Sequence, residues 1–529
     1  MRNSKIFIQR FFSGIVIFCF AWIIVTFLVI PRMGAIYSLF RMNHSLFHVI
    51  ILDFIAALIA LMAIFSVRQF TRFVKNKKDL SDKTAWVLLL LEMILYSGGI
   101  LIFLKYIGYY KTVDDAQVVY NWVTHYTVID PWTHPSWLMH YLYANPQNLF
   151  LALTYKMVNL FLGNGFGGIV MTFLAIYVLS IVLLFCTMRA LKLDNWISLI
   201  IIQLLLISIQ VTFHAAIAYT DILAFFFTSL TVYCFARYLL THGKLQFFWL
   251  GLISLSSFFA FLSKGTSLVL IIALSIFIFV YNQRIKKLTG FIPILVLLLG
   301  NFGWTQAINY SGVYVDTNYG QPNTHYVMMG LSNTPIPDNL SAREAANWSV
   351  GTYAAKDQDY SWNLFYNRHL SKSAITQKQI AVYKQRLLAM TPVQLCDALN
   401  NKVSVAWGSG DLKTSFSLMR GTHNQERTNK IFSEGVSGLV IYLIMTVSQL
   451  ILYLGVIMAL IKSWNKKEPV LLFGSIFLSG YFAFLLLWEV NPRYAIGIFP
   501  IALIMIGKSL GQQTSSNLDC IIKVTIQKM

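Results

Sequence analysis

The sequence predicts an all-α polytopic membrane protein of about 12 transmembrane helices with two large extracytoplasmic loops. Three observations carry this. Hydrophobic residues make up 57% of the 529 residues and charged residues 12%, where a soluble domain carries about 25% charged residues. Apolar runs such as "FFSGIVIFCFAWIIVTFLVI" reach the ~20 residues that span a bilayer as a helix. The runs are continuous, not alternating, which selects helices over a membrane barrel.

The expected spans are 12–30, 46–66, 85–104, 166–187, 196–212, 218–240, 246–262, 266–281, 290–308, 436–462, 469–488 and 494–510. No small-residue cleavage site follows the first run, so it reads as a retained helix and not a signal peptide. With the N-terminus inside, the inner segments hold 22 Lys and Arg and the outer ones 7. The remaining 12 fall in the long outer segment 309–435, which translocates regardless of charge. This bias also accounts for the net charge of +20, and nucleic acid is not an expected partner. The run "NPQNLFLALTYKMVNLFLG" (145–163) is placed as a helix lying at the outer interface. Were it to cross, the basic loops near Arg284 and Lys466 would face outside. Its Asn148, Thr154, Lys156 and Asn159 suit an interface.

Four parts follow: an N-terminal two-helix extension (1–84), a membrane module with an outer loop at 105–165 (85–308), an extracytoplasmic loop domain (309–435), and C-terminal helices with a cytoplasmic tail (436–529). The loop domain is polar but carries enough aromatic residues to pack on the membrane part, with a helix near "KSAITQKQIAVYKQRLLAM". Of the five cysteines only Cys396 falls outside, so no intramolecular disulfide framework is expected there.

Several uncommon residues then share the outer face. "KTVDDAQVVYNW" places Asp114 and Asp115 just after the third span. "HAAIAYTD" places His214 and Asp221 between the fifth and sixth. "SKGTS" places Lys264, and "WEVNPRY" places Glu489 and Arg493, in short outer turns where basic residues run against the topological bias. Each has a plain structural role beside a functional one. Asp114 or Asp115 can cap the helix starting near Ala116, and Asp221 its own helix. Glu489 can pair with Arg493, and Lys264 can snorkel to the headgroups. Asp53 and Glu92 lie within spans, where carboxylates are costly; they are left without a role. Taken together, a carboxylate base, two phosphate-holding cations and an interfacial apolar helix are the parts for transfer from a lipid-linked phosphate.

With these features the sequence resembles the GT-C membrane glycosyltransferases, and within them the bacterial relatives of family 39: the protein O-mannosyltransferases and lipid A aminoarabinose transferases. "TVDDAQVVYNW", "AYTDILAFFFTSLTVYCFARYL", "SKGTSLVLIIAL" and "NPRYAIGIFPIAL" carry the resemblance in order. The outer loop, with "THYVMMGLSN", "GTYAAKDQDYSWN" and "KVSVAWGSGDLKTSFS", looks like a subgroup of Gram-positive integral membrane proteins. The resemblance implies a polyprenyl-phosphate-linked sugar donor and an acid in the first functional outer loop. That acid maps onto Asp114, with Asp115 where many relatives carry Glu. Some relatives use a divalent metal and others none; no His/Cys/Asp cluster with ligand spacing is visible, so no cofactor is assigned and a divalent metal is left open.

The expectation is a plasma-membrane glycosyltransferase, both termini cytoplasmic and the site extracytoplasmic. It moves a sugar to an external acceptor such as cell-wall polysaccharide, teichoic acid or another glycoconjugate. Asp114 and Asp115 are the catalytic candidates, Lys264 and Arg493 the donor-phosphate ligands, and Asp221 and His214 further substrate-site residues. The alternatives are a lipid-linked glycan flippase without chemistry, and a polysaccharide polymerase or ligase.

Overall fold

The computed structural model describes residues 2–31, 38–75, 79–282, 284–337 and 339–511. The C-terminal tail and the centre of the Lys-rich segment after the second span lie outside the described residues. Among those described, the regular elements are helices. The first group is α1 (Arg2–Val29), α2 (Leu39–Asn43), α3 (Leu46–Lys75), α4 (Asp82–Ile107), α5 (Asp114–His125), α6 (Trp137–Ala144) and α7 (Leu149–Leu162). Then come α8 (Phe166–Ala190), α9 (Asn195–Ile207), α10 (Ile209–Ile217), α11 (Thr220–Leu240), α12 (Lys244–Ser263), α13 (Leu268–Tyr281) and α14 (Ile292–Ser311). The loop helices are α15 (Thr324–Met329), α16 (Ala342–Asn347), α17 (Ala355–Trp362), α18 (Lys372–Leu388), α19 (Pro392–Trp407), α20 (Thr414–Arg420) and α21 (Gln425–Ser433). The chain closes with α22 (Gly435–Lys462), α23 (Pro469–Leu487) and α24 (Pro492–Gly511).

Among the described residues ten helices are long and apolar enough to cross a membrane, or eleven if α9 and α10 form one span. The all-α polytopic bundle is as expected, and the difference between this number and about 12 lies at two places. The fifth expected span breaks at Ser208, where α9 and α10 meet at 61°. The eighth, α13, has 14 residues; at ~1.5 Å per residue it covers roughly 21 Å, short of a ~30 Å hydrocarbon core. A break inside an apolar environment needs partners for the freed backbone groups. The Tyr96 hydroxyl, from α4, donates to the Leu206 carbonyl at 2.7 Å and lies 2.9 Å from Thr212 Oγ1. At the far end of α10, Thr112 donates to the Ile217 carbonyl and Tyr155 to that of Ala218, both at 2.5 Å.

The two long non-spanning segments pack together at one end of the bundle. The amides of Gly320 and Gln321 donate to Tyr143 and Ala144 carbonyls at 2.8 and 3.0 Å. Isolated bridges join Ile129 to Tyr314 and Tyr109 to Thr422. Helix α18 forms where the sequence places it, capped by the Ser371 hydroxyl. It is tied inward by Arg386, which forks onto both Asp357 oxygens at 2.8 and 2.5 Å. Gly330 sits so close to the end of α23 that an added Cβ would stand 2.2 Å from the Leu487 carbonyl oxygen. In α7, Leu151, Ala152 and Tyr155 are buried while Leu160 and Phe161 point outward.

The second span meets α22 at a buried polar cluster. Arg41 and Asp53, both fully buried, pair at 3.1 Å, and the Tyr442 hydroxyl of α22 donates to Asp53 at 2.5 Å. Asp53 thus has its partner on the short helix α2 just before its own span, and Glu92 accepts from Gln203. Removing one member of such a pair leaves an uncompensated charge, which costs about 3–5 kcal/mol, whereas replacing both with apolar residues costs far less. Arg41→Met alone should therefore lower the unfolding midpoint in detergent sharply, and Arg41→Met with Asp53→Leu should recover most of the loss.

Candidate active site

The site forms where five segments meet: the start of α5, the start of α11, the α12–α13 turn, the loop before α20 and the start of α24. In α5, Val113 is the N-cap and makes no side-chain cap bond, and the helix begins at Asp114, so neither aspartate serves as the expected N-cap. Asp114 has a left-handed backbone, φ 53°. This conformation is uncommon for a residue other than glycine, and Asp and Asn tolerate it best. Its carboxylate meets Lys413 at 2.9 Å and the Arg420 guanidinium. Asp115 turns elsewhere, accepting from the Tyr219 hydroxyl at 3.2 Å, with the Arg493 guanidinium 3.8 Å away.

Asp221 lies in the first turn of α11, behind the N-cap Tyr219, so it too is not the expected N-cap. Its side chain is 1% exposed and is held by the Lys264 ammonium and by Arg493 at 3.0 Å. Lys264 therefore turns inward and does not reach for headgroups. It also lies 4.3 Å from the Tyr494 ring centroid, while Arg493 lies over Tyr219 at 4.4 Å. Arg493 pairs with Asp221 and Asp115, not with Glu489, although only three residues separate it from Glu489. Asn491 and Pro492 are the reason: the Asn491 side chain caps the Arg493 amide and a tight helical turn begins at Pro492. His214 is buried, and its Nε2 is 2.9 Å from the Leu412 carbonyl, one residue before Lys413.

Lys413 owes its position to a strained loop. Gly410, Leu412 and Lys413 all have positive φ. At Gly410 an added Cβ would come within 2.7 Å of Thr446 Oγ1, so only glycine fits there. Asp411 pins the turn by accepting from the amides of Thr414 and Ser415 at 2.7 and 2.9 Å. Burial would raise the Asp114 carboxyl, but Lys413 and then Arg420 outweigh it and hold it below the usual carboxylate range.

All six residues singled out from sequence thus stand in one neighbourhood, directly or through one contact. Lys413 and Arg420 were not among them, and Glu489 was noted from sequence only as a partner for Arg493. Among the described residues no group of three or more His, Cys, Asp and Glu stands together as a metal-binding set. Asp114, Asp115 and Asp221 each face cations instead, so the residues present do not fit a resident divalent metal.

The all-helical polytopic bundle is consistent with the GT-C class of membrane glycosyltransferases. Residues 168–305 match the protein family described as dolichyl-phosphate-mannose-protein mannosyltransferase. The match runs from α8 into α14; it takes in His214, Asp221 and Lys264, while Asp114, Asp115 and Arg493 lie outside it. It supports a membrane glycosyltransferase that uses a lipid-linked sugar donor. No curated protein matches the chain.

Asp221 is the buried anion between two cations. Asp221→Asn should leave Lys264 and Arg493 under-compensated and cost on the order of 3–5 kcal/mol. Thermal unfolding in detergent should show a large drop, with Asp221→Glu less affected.

Proposed function

We propose that the protein transfers a sugar from a polyprenyl-phosphate donor to an acceptor hydroxyl on an extracytoplasmic glycan or glycoconjugate at the plasma membrane. The observation that carries this reading is Arg493, which reaches Asp221 and Asp115 from α24 and so joins the segment matched to the mannosyltransferase family to the two aspartates of α5. The outward placement of the site rests on the excess of basic residues in the opposite loops.

In the mechanism, Asp114 accepts the proton of the acceptor hydroxyl as its oxygen attacks the anomeric carbon. The bond from that carbon to the phosphate oxygen breaks, and the polyprenyl phosphate leaves with the bonding electrons. Arg493 and Lys264 stabilise the charge that grows on the phosphate. Asp221 holds both cations in place, so that they meet the donor already oriented. Asp115 and Tyr219 keep Arg493 turned towards α5. Lys413 and Arg420 keep Asp114 ionised, at the cost of some basicity, so they favour orientation of the acceptor over strong proton abstraction.

Asp114→Asn should abolish transfer from a lipid-linked sugar in liposomes and leave expression and monodispersity unchanged. Full activity in both Asp114→Asn and Asp115→Asn would sink the mechanism. Lys413→Met removes one of the cations that lower the Asp114 carboxyl. Its pKa should rise, and the acid limb of the pH–rate profile should move to higher pH. An unmoved limb would mean that Asp114 does not titrate in the rate-limiting step.

A further inference from the structure

Three hydrogen bonds tie the first two helices to the segment that carries Lys413 and Arg420. The Trp22 indole of α1 donates to Asn400 Oδ1 at 2.7 Å. The Ser404 hydroxyl donates to the carbonyl of Ile30, just past the end of α1, at 2.6 Å. Asn400 and Ser404 lie one turn apart on α19. The third bond forms beyond the turn: the amide of Leu39, the first residue of α2, donates to Ser415 Oγ at 3.1 Å. Ser415 is buried, and its hydroxyl donates in turn to Asp411. One hydroxyl therefore links α2 to the carboxylate that pins the turn.

Helix α2 is itself well anchored. Arg41 pairs with Asp53 of α3 and donates to the Tyr442 hydroxyl at 3.2 Å. Phe40 stacks on the same Tyr442, ring centroids 4.3 Å apart, and the Asn43 amide donates to Ser433 of α21 at 2.8 Å. On the opposite flank α10 holds the turn: His214 meets the Leu412 carbonyl, and the Thr414 hydroxyl donates to the Gln210 carbonyl at 3.3 Å. The turn is thus gripped by α10, inside the segment matched to the family, and by α2, outside it. Leu412 and Lys413 have φ 56° and 65°. Residues other than glycine keep such a backbone only where the surroundings over-determine it. A turn relaxing to negative φ would swing Lys413 away from Asp114, which it meets at 2.9 Å.

We infer that Leu39 and Ser415 are positioning residues of the site: their hydrogen bond makes α2 one wall of the strained turn and so keeps Lys413 against Asp114. This rests on the reading of Asp114 as the acceptor base. It gives the N-terminal helices a part in the reaction although they carry none of the groups proposed to meet substrate. The direction of the effect follows from the site. Burial raises the Asp114 carboxyl, and Lys413 is the stronger of the two cations that lower it. Loosening Lys413 raises that carboxyl, so activity that needs its ionised form is lost at a higher pH.

The first amides of a helix have no partner within it, and Ser38 is extended, φ −89° and ψ 115°. Proline is therefore tolerated at position 39. Leu39→Pro deletes the donor, and Leu39→Ala is the control that shortens the side chain and keeps the N–H. Amide exchange of the full-length protein in micelles, read by mass spectrometry over residues 409–420, should be roughly fivefold faster in Leu39→Pro than in Leu39→Ala, as for the loss of one hydrogen bond. The acid limb of the pH–rate profile for transfer from a lipid-linked sugar should move to higher pH in Leu39→Pro. In a Lys413→Met background the same change should move it no further. Equal exchange in the two variants overturns the inference. So does faster exchange with an unmoved limb, and so does an equal shift in the Lys413→Met background, which would route the effect around Lys413. Should Leu39→Pro not fold, Ser415→Ala leaves α2 whole and should give the same faster exchange and the same shift; neither change in Ser415→Ala overturns the inference as well. Wild type that transfers no sugar from a lipid-linked donor would count against the proposed function, and the exchange comparison would still decide whether α2 holds the turn.

Discussion

The arrangement depends on one buried carboxylate, Asp221, and the two cations that enclose it. A lone charge at 1% exposure is too costly to keep. Two cations from elements distant in sequence remove that cost and fix the elements at the same time. Lys264 fixes the turn between α12 and α13. Arg493 fixes the start of α24, and through its second amine it faces Asp115 and the start of α5. Three spans and one loop helix are thereby registered to each other at one point. Residues near it inherit their geometry from it: Tyr219 lies under the guanidinium, and Tyr494 lies beside the ammonium.

A second constraint acts on the loop layer. Lys402 takes up three carbonyls, two of them from the end of α23, and the tight approach of Gly330 leaves no room for another side chain. The layer is clamped to the spans beside the site and does not hang from them as a tether. Within the layer itself, Arg386 and Asp357 pair with each other.

Much of the membrane architecture was legible in the sequence because apolar length is a direct physical requirement of a bilayer. What was not legible has equally physical causes. Hydropathy passes smoothly over Ser208, because a serine in an apolar run does not announce whether Tyr96 will stand ready to accept the break. Residues 266–281 are apolar enough for a span, but the first three helical residues form a tighter turn and the α-helix that follows is short. Of the site, the acids and cations in short turns stood out because they oppose the charge bias. Lys413 and Arg420 did not, since they are two of 12 basic residues in a long segment where charge carries no topological signal. Their placement is a product of three left-handed residues in the loop. Glu489 was obscured by proximity: a partner four residues away looked sufficient, and Pro492 sends that partner elsewhere.

The left-handed backbone of Asp114 has a consequence for how this position can change over time. Most side chains at φ 53° carry a steric penalty there, and β-branched ones the largest. The substitutions open to drift are then few, mainly Asn and Gly, and both lose the negative charge. A glutamate, which would keep it, carries the same backbone penalty. Position 114 is therefore narrow in sequence space from two independent directions, whereas Asp115, one step into the helix, is free of the backbone restriction and can exchange with Glu more readily.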